Sequence, residues 1–234
     1  MNNSRHLYKV AAMDAILVSM TNNTLEKSRY GLAIISTATG LRNATEAFGA
    51  LATTRDQTIT LAAHEKRVAT AANKLKAQAK VSNEKCQAAL RDGLGELAAR
   101  IASKVKLQPN EHAKEIREVF REMATKDQLQ LLKELSDSNR GPELAAIIEV
   151  PAILSGIAPE LQNVYREQIV YLHARPEFDE QKALLDAVMP AMTVARVADE
   201  TADELAIGPN RLKQIEDGEA AANAAQNTFN EAVR

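Results

Sequence analysis

The first proline in this chain is Pro109, and all seven prolines lie from that position onward. Proline breaks helices because it has no backbone N–H and its ring clashes with the preceding turn. The residues before Pro109 are rich in Ala, Leu and Lys, which favour helix. The pattern predicts long helix in the first half of the chain and shorter helices in the second. A long helix gains most of its stability from packing, so it needs a partner.

No alternating strand pattern with turn residues occurs in the sequence, so we predict an all-α fold. It consists of a long N-terminal helical arm or hairpin plus a compact bundle of short helices. Polar or proline-containing breaks set the segment limits. We predict an N-terminal helix in residues 1–23, a long basic helical arm in 24–107, an acidic helical bundle in 108–207 and a C-terminal helix in 208–234.

The arm contains no strong loop signal between residues 25 and 107. A single helix over this stretch would reach about 125 Å at 1.5 Å per residue. Two glycines make Asp92–Gly95 the predicted interruption, and whether the arm is one helix or a hairpin stays open. In the second half, Pro159 suits the first turn of a helix that continues to His173. After the break at Gly208 and Pro209, a last helix is predicted to run to Ala232.

The middle of the arm has a heptad pattern, in which apolar or small residues alternate in steps of four and three. Most of these side chains are small, so a partner backbone must approach closely. We predict a self-association seam, typical of a coiled coil, and a homo-oligomer. Its residues, called the α4 seam below, are Val68, Ala72, Leu75, Ala79, Ser82, Cys86 and Ala89.

Charge is distributed unevenly along the chain. Residues 1–107 hold 16 Lys and Arg against 8 Asp and Glu, a net charge of +8, and the remaining residues have a net charge of −10. This asymmetry is typical of exposed helices that carry charge for solubility. Alternatively, the two halves attract each other between subunits, or the basic half meets an acidic partner. A candidate nucleic-acid face lies opposite the α4 seam and comprises Lys66, Lys76, Lys80 and Arg91.

No catalytic, cofactor-binding or metal-binding pattern occurs in the sequence. The four histidines lack the spacing of a local metal site, and the lone Cys86 lies on the α4 seam. Aromatic residues make up 3% of the chain, which argues for thin helix-on-helix layers and against a deep pocket. We therefore expect a non-enzymatic protein without cofactors. The first residues do not form a signal peptide, and no apolar run is long enough to span a bilayer.

Residues 141–157, which read GPELAAIIEVPAILSGI, resemble segments of uncharacterised helical proteins from tailed-phage structural gene modules. The resemblance implies a virion-associated structural, internal or assembly protein, located in the virion or the host cytoplasm and contacting other virion or assembly proteins. We expect a self-associating helical structural protein of the internal, scaffolding or ejection type.

Two alternatives remain open from the sequence. The first is a nucleic-acid-binding accessory protein that uses the basic arm non-specifically, since the arm lacks interleaved aromatics for base stacking. The second is a membrane-active helical protein. It depends on the small, apolar stretch from Gly31 to Ala52, where Gly40 and Ala44 would let helices approach closely.

Overall fold

The computed structural model describes the backbone of residues 2–233 and the side chains of residues 5–233. This part of the chain forms eleven helices and no strand, which confirms the predicted all-α class. None of these helices combines the length and the hydropathy needed to cross a bilayer. The helices are α1 (Asn2–Met20), α2 (Asn23–Lys27), α3 (Arg29–Thr53), α4 (Leu61–Val105), α5 (Ala113–Glu122), α6 (Thr125–Asp137), α7 (Gly141–Ile148), α8 (Ala152–Ser155), α9 (Pro159–His173), α10 (Arg175–Leu205) and α11 (Pro209–Ala232).

The arm is broken between α3 and α4, at a place where the sequence carries no strong loop signal. Hydrogen bonds from short polar side chains stabilise the loop between the two helices. The carboxylate of Asp56 accepts hydrogen bonds from the backbone N and Oγ1 of Thr58, at 2.9 and 2.6 Å. Thr60 Oγ1 then accepts from the backbone N of Ala63 at 3.2 Å, at the start of α4. Asp and Thr stabilise turns and helix starts in this way without any glycine or proline.

The predicted interruption at Asp92–Gly95 was wrong, because α4 continues through both glycines. Gly95 is exposed, and a β-carbon there would meet no atom within 4 Å. A glycine costs a helix about 1 kcal/mol relative to alanine. Packing of nearby residues such as Leu97, which is 1% exposed, offsets that cost. The predicted helix bounds at Pro159–His173 and from Pro209 to Ala232 are confirmed.

The chain folds into two compact units. The first comprises the residues up to Ala89 and those from Asp186 onward, and the second comprises Leu90–Leu185. Helices α4 and α10 each contribute a segment to both units. The first unit therefore combines parts of all four segments that the sequence suggested.

Within the first unit, α1 and α3 pack in antiparallel directions. The ring of His6 lies against Gly49, where a β-carbon would approach its Cδ2 to 2.3 Å. Further along, Asp14 accepts two hydrogen bonds from the guanidinium of Arg42, at 2.7 and 2.9 Å. This hydrogen bonding holds the pKa of Asp14 below its ordinary value. Glycine at position 49 thus allows the close approach that brings the two helices together.

The α4 and α10 segments of the first unit also lie side by side. Lys76 forms an ion pair with Asp203, and Asn83 lines a groove together with Met189 and Thr193. The later residue of α4, Asn83, therefore lies near earlier residues of α10 than Lys76 does. The two segments run in antiparallel directions. The inward side of α10 consists mainly of small residues, which permit close packing: Ala187, Ala191, Ala195, Ala198 and Ala202.

The second unit is built around α7, in which every residue from Leu144 to Ile148 is buried. Gly141 begins this helix against the end of α4, where a β-carbon would lie 1.7 Å from the carbonyl oxygen of Val105. Around α7, the core is completed by buried side chains from α5, α6 and α9, including Phe120, Leu132 and Ile169. The rest of the unit surrounds this short apolar helix.

Candidate interaction surfaces

The α4 seam is buried inside the first unit. Six of its seven residues are between 2% and 7% exposed, and Ala89 is partly buried. Helices of the same chain supply the covering, because α10 lies along this part of α4. These side chains are therefore not at the surface where a second copy could reach them.

Cys86 shares the environment of this seam. Its side chain is 3% exposed, and burial raises the pKa of the thiol to about 11. A protonated, enclosed thiol is a poor nucleophile and a poor metal ligand. Cys86 acts in this fold as a small apolar residue that fills space between helices.

The candidate nucleic-acid face divides into two pairs of residues. Lys66 forms an ion pair with Glu219 of α11, and Lys76 forms one with Asp203 of α10. These contacts hold the pKa of each lysine above its ordinary value. Lys80 and Arg91 are exposed instead, and Arg91 lies 3.4 Å from the neighbouring Asp92. Two of the four residues predicted to bind nucleic acid, Lys66 and Lys76, thus form ion pairs within the chain.

Three exposed cations that the sequence prediction missed form a line along α4. Arg67, Lys74 and Lys85, called the basic line below, are spaced by 7 and 11 residues, which are close to whole numbers of helical turns. Among residues 5–233, none forms an ion pair with them at 4 Å or less. The spacing is visible in the sequence, but which lysines lie in ion pairs depends on distant residues.

No group of three His, Cys, Asp or Glu side chains that could hold a metal ion occurs among the residues whose side chains the structure describes. His6 and His64 are buried in the first unit, and His173 bonds to the carbonyl oxygen of Ser136 at 2.7 Å. His112 is exposed beside Glu115, 3.2 Å away. The four histidines therefore lie in separate environments.

Helix α11 is anchored only at its base. Ile215 is 6% exposed, Arg211 lies 3.2 Å from Glu65, and Glu219 pairs with Lys66. Every residue from 216 to 233 is exposed. About 27 Å of helix therefore extends beyond the last buried residue, at 1.5 Å per residue. An isolated helix of this length is only marginally stable in water, so this segment lacks the packing that normally maintains a helix.

One side of the exposed helix continues the spacing of its buried base. Starting from Ile215, steps of three and four place five residues on a single stripe. Phe229 on this stripe is 61% exposed, and the neighbouring Val233 is 70% exposed. The sequence prediction missed this heptad, although its spacing was legible from Ile215 onward. The five residues, called the α11 seam below, are Gly218, Ala222, Ala225, Phe229 and Ala232.

Comparison with known proteins found no matching family model, no similar curated protein and no similar solved structure.

Proposed function

We propose that this chain is a non-enzymatic helical structural protein that acts by self-association, and that α11 carries the association. The observation behind the proposal is the exposure of residues 216–233 on a helix whose heptad spacing begins at the buried Ile215. Association through the α4 seam would require the first unit to open, because that seam is already covered. Association through α11 requires no such rearrangement.

The resemblance of residues 141–157 to helical proteins of tailed-phage structural gene modules supports a virion-associated role. The proposed component is internal, scaffolding-type or ejection-type, and its partners are its own copies and other assembly proteins. Symmetric repetition suits such a component, because each copy covers an exposed helix of its neighbour. Mass spectrometry of purified particles from a host that carries the gene tests this role separately.

Sedimentation over a range of protein concentrations tests the self-association. We expect the wild-type chain to pass from monomer to dimer, and Ala225→Glu to remain monomeric because it places a charge on the α11 seam. Ala224→Glu is the matched control, since it makes the same change at an exposed position one residue away, about 100° round the helix and off the α11 seam. A wild-type protein that stays monomeric at every concentration, with its helicity intact, would overturn the proposal.

The basic line favours a second candidate function, non-specific binding of nucleic acid. Arg67, Lys74 and Lys85 are exposed, and no residue among 5–233 forms an ion pair with them at 4 Å or less. Lysine and arginine side chains bind nucleic acid by neutralising its phosphates, and such binding weakens steeply with added salt. The test is a gel-shift titration with double-stranded DNA at low and high salt.

A triple variant with Gln at all three positions of the basic line should lose binding. The matched control replaces three exposed lysines of the second unit with Gln, which are Lys126, Lys133 and Lys182. Equal losses in the two variants would indicate a general charge effect and would rule out the basic line as the binding surface.

A further inference from the structure

A groove beside α4 contains two of the three cations of the basic line. Its volume is about 550 Å³, and every residue that lines it belongs to the first unit. Three helices supply the lining. Leu51 comes from α3, Glu219 comes from α11, and α4 contributes Ala63, Lys66, Arg67, Thr70, Ala71 and Lys74. We infer that this groove, called the α4 groove below, is a binding site for a small phosphorylated molecule.

The two cations of the basic line can reach the same ligand. Arg67, Thr70 and Lys74 lie on one side of α4, because steps of three and four residues are close to whole helical turns. Arg67 and Lys74 are about 10 Å apart along the helix axis, at 1.5 Å per residue. A group held midway between them is thus within the length of both side chains.

Both cations are also available to a ligand. Arg67 and Lys74 are exposed, and no residue among 5–233 forms an ion pair with them at 4 Å or less. The carboxylate of Asp56 is bonded within its own loop. Hydrogen bonds from Thr58 hold the pKa of Asp56 below its ordinary value, and the charge of Arg67 makes a smaller contribution. The guanidinium of Arg67 therefore keeps its donors for a ligand.

The other two charges of the α4 groove neutralise each other. Lys66 forms an ion pair with Glu219, and this contact holds the pKa of Lys66 above its ordinary value. Three cations and one carboxylate line the groove, so its net charge is +2. A phosphate ester carries a charge of about −1.5 to −2 at neutral pH. The charge of the groove and that of a single phosphate group are therefore complementary.

The kinds of side chain in the groove suit a phosphorylated organic molecule. A guanidinium binds two phosphate oxygens with parallel hydrogen bonds, and a lysine adds a compact positive charge. Leu51, Ala63 and Ala71 provide apolar surface for the rest of such a molecule. Small-molecule sites have volumes of about 300–1,000 Å³, a range that includes this groove.

The α4 groove is separate from the extended nucleic-acid surface proposed above. Lys85, the third residue of the basic line, is roughly 16 Å further along α4 than Lys74 and is not among the residues that line the groove. Binding in the groove depends on Arg67 and Lys74, whereas binding along the whole basic line depends on Lys85 as well. The inference also does not depend on self-association through α11.

Isothermal titration of the full chain with sodium pyrophosphate and with adenosine triphosphate, at constant ionic strength, tests the inference. We expect both compounds to bind. Arg67→Gln and Lys74→Gln should each weaken binding by about tenfold or more, because each removes a charged hydrogen-bond donor. Lys126→Gln is the matched control, since it removes an exposed positive charge from the second unit.

A second variant should change the affinity in the opposite direction. Glu219→Gln removes the carboxylate from the α4 groove and frees Lys66, so pyrophosphate should bind about fivefold more tightly or better. Glu231→Gln is its control, because it makes the same change at an exposed position near the tip of α11. Circular dichroism of each variant checks that the helices are retained.

Several results would overturn the inference. Neither pyrophosphate nor adenosine triphosphate binds if the groove is not a phosphate site. Equal effects of Glu219→Gln and Glu231→Gln would show that overall charge, and not the groove, determines the affinity. If Lys85→Gln weakens binding as much as Arg67→Gln does, or if only DNA binds, the α4 groove is not the site while the nucleic-acid function stands.

Discussion

The carbonyl oxygen of Val105 lies 1.7 Å from the position that a β-carbon on residue 141 would occupy. The nearest atoms there belong to the backbone at the end of α4, including the carbonyl carbons of Val105 and Lys106 at 2.9 and 3.0 Å. Backbone cannot move aside as a flexible side chain can. Glycine at position 141 is therefore what allows α7 to begin against α4 within the second unit.

We predict that Gly141→Ala destabilises the second unit by about 2–3 kcal/mol, because the added methyl overpacks a backbone contact. Urea denaturation followed by circular dichroism measures the loss. Gly95→Ala is the matched control, since a β-carbon at that helical position meets nothing within 4 Å. It should stabilise the protein by up to about 1 kcal/mol. Equal effects of the two substitutions would contradict the role given to Gly141.

A second prediction concerns the buried carboxylate of Glu177, which is 2% exposed. It accepts hydrogen bonds from Arg100 and Lys104, each at 2.8 Å. Burial raises the pKa of Glu177, but the hydrogen bonds from Lys104, the backbone and Arg100 outweigh burial and lower it below its ordinary value of 4.5. Because the folded-state pKa is depressed, the stabilisation is complete above the unfolded-state pKa.

Glu177→Gln should therefore lower the free energy of unfolding by about 1.5–3 kcal/mol at neutral pH. The difference from wild type should shrink as the pH falls below about 4.5, because protonation removes the same charge from the wild-type side chain. Unfolding curves at several pH values measure it, with the exposed Glu160→Gln as the control. A difference that persists unchanged at pH 2 would show that the carboxylate charge is not what stabilises the fold.

The helical class and several helix bounds could be predicted because they depend on local signals. Pro159 begins α9 and Pro209 begins α11, as their ring geometry favours. The break after Thr53 was missed because its turn depends on hydrogen bonds between Asp56 and Thr58. Such hydrogen bonds are harder to recognise in a sequence than a glycine or a proline. At Gly95, by contrast, a helix break was predicted that does not occur. Packing along α4 outweighs the low helix propensity of glycine there.

The surface that covers a heptad seam could not be predicted from local signals, because it depends on contacts between residues distant in sequence. The spacing from Val68 to Ala89 correctly indicates a helix face that must be covered, and most of that face is buried. Small residues of α10, such as Ala195 and Ala198, lie more than 100 positions further along the chain. Spacing alone does not distinguish such a segment from a second copy, whereas exposure in the folded chain does.

A third prediction uses the thiol of Cys86 to report on whether the α4 seam stays covered. In the folded chain at pH 8 the thiol should react with a disulfide reagent at least about tenfold more slowly than an exposed cysteine, because it is enclosed and its pKa is raised to about 11. The control is Gln87→Cys, which adds an exposed thiol at the next position of the same helix. Rapid modification of both thiols without denaturant would show that the first unit opens and exposes the seam.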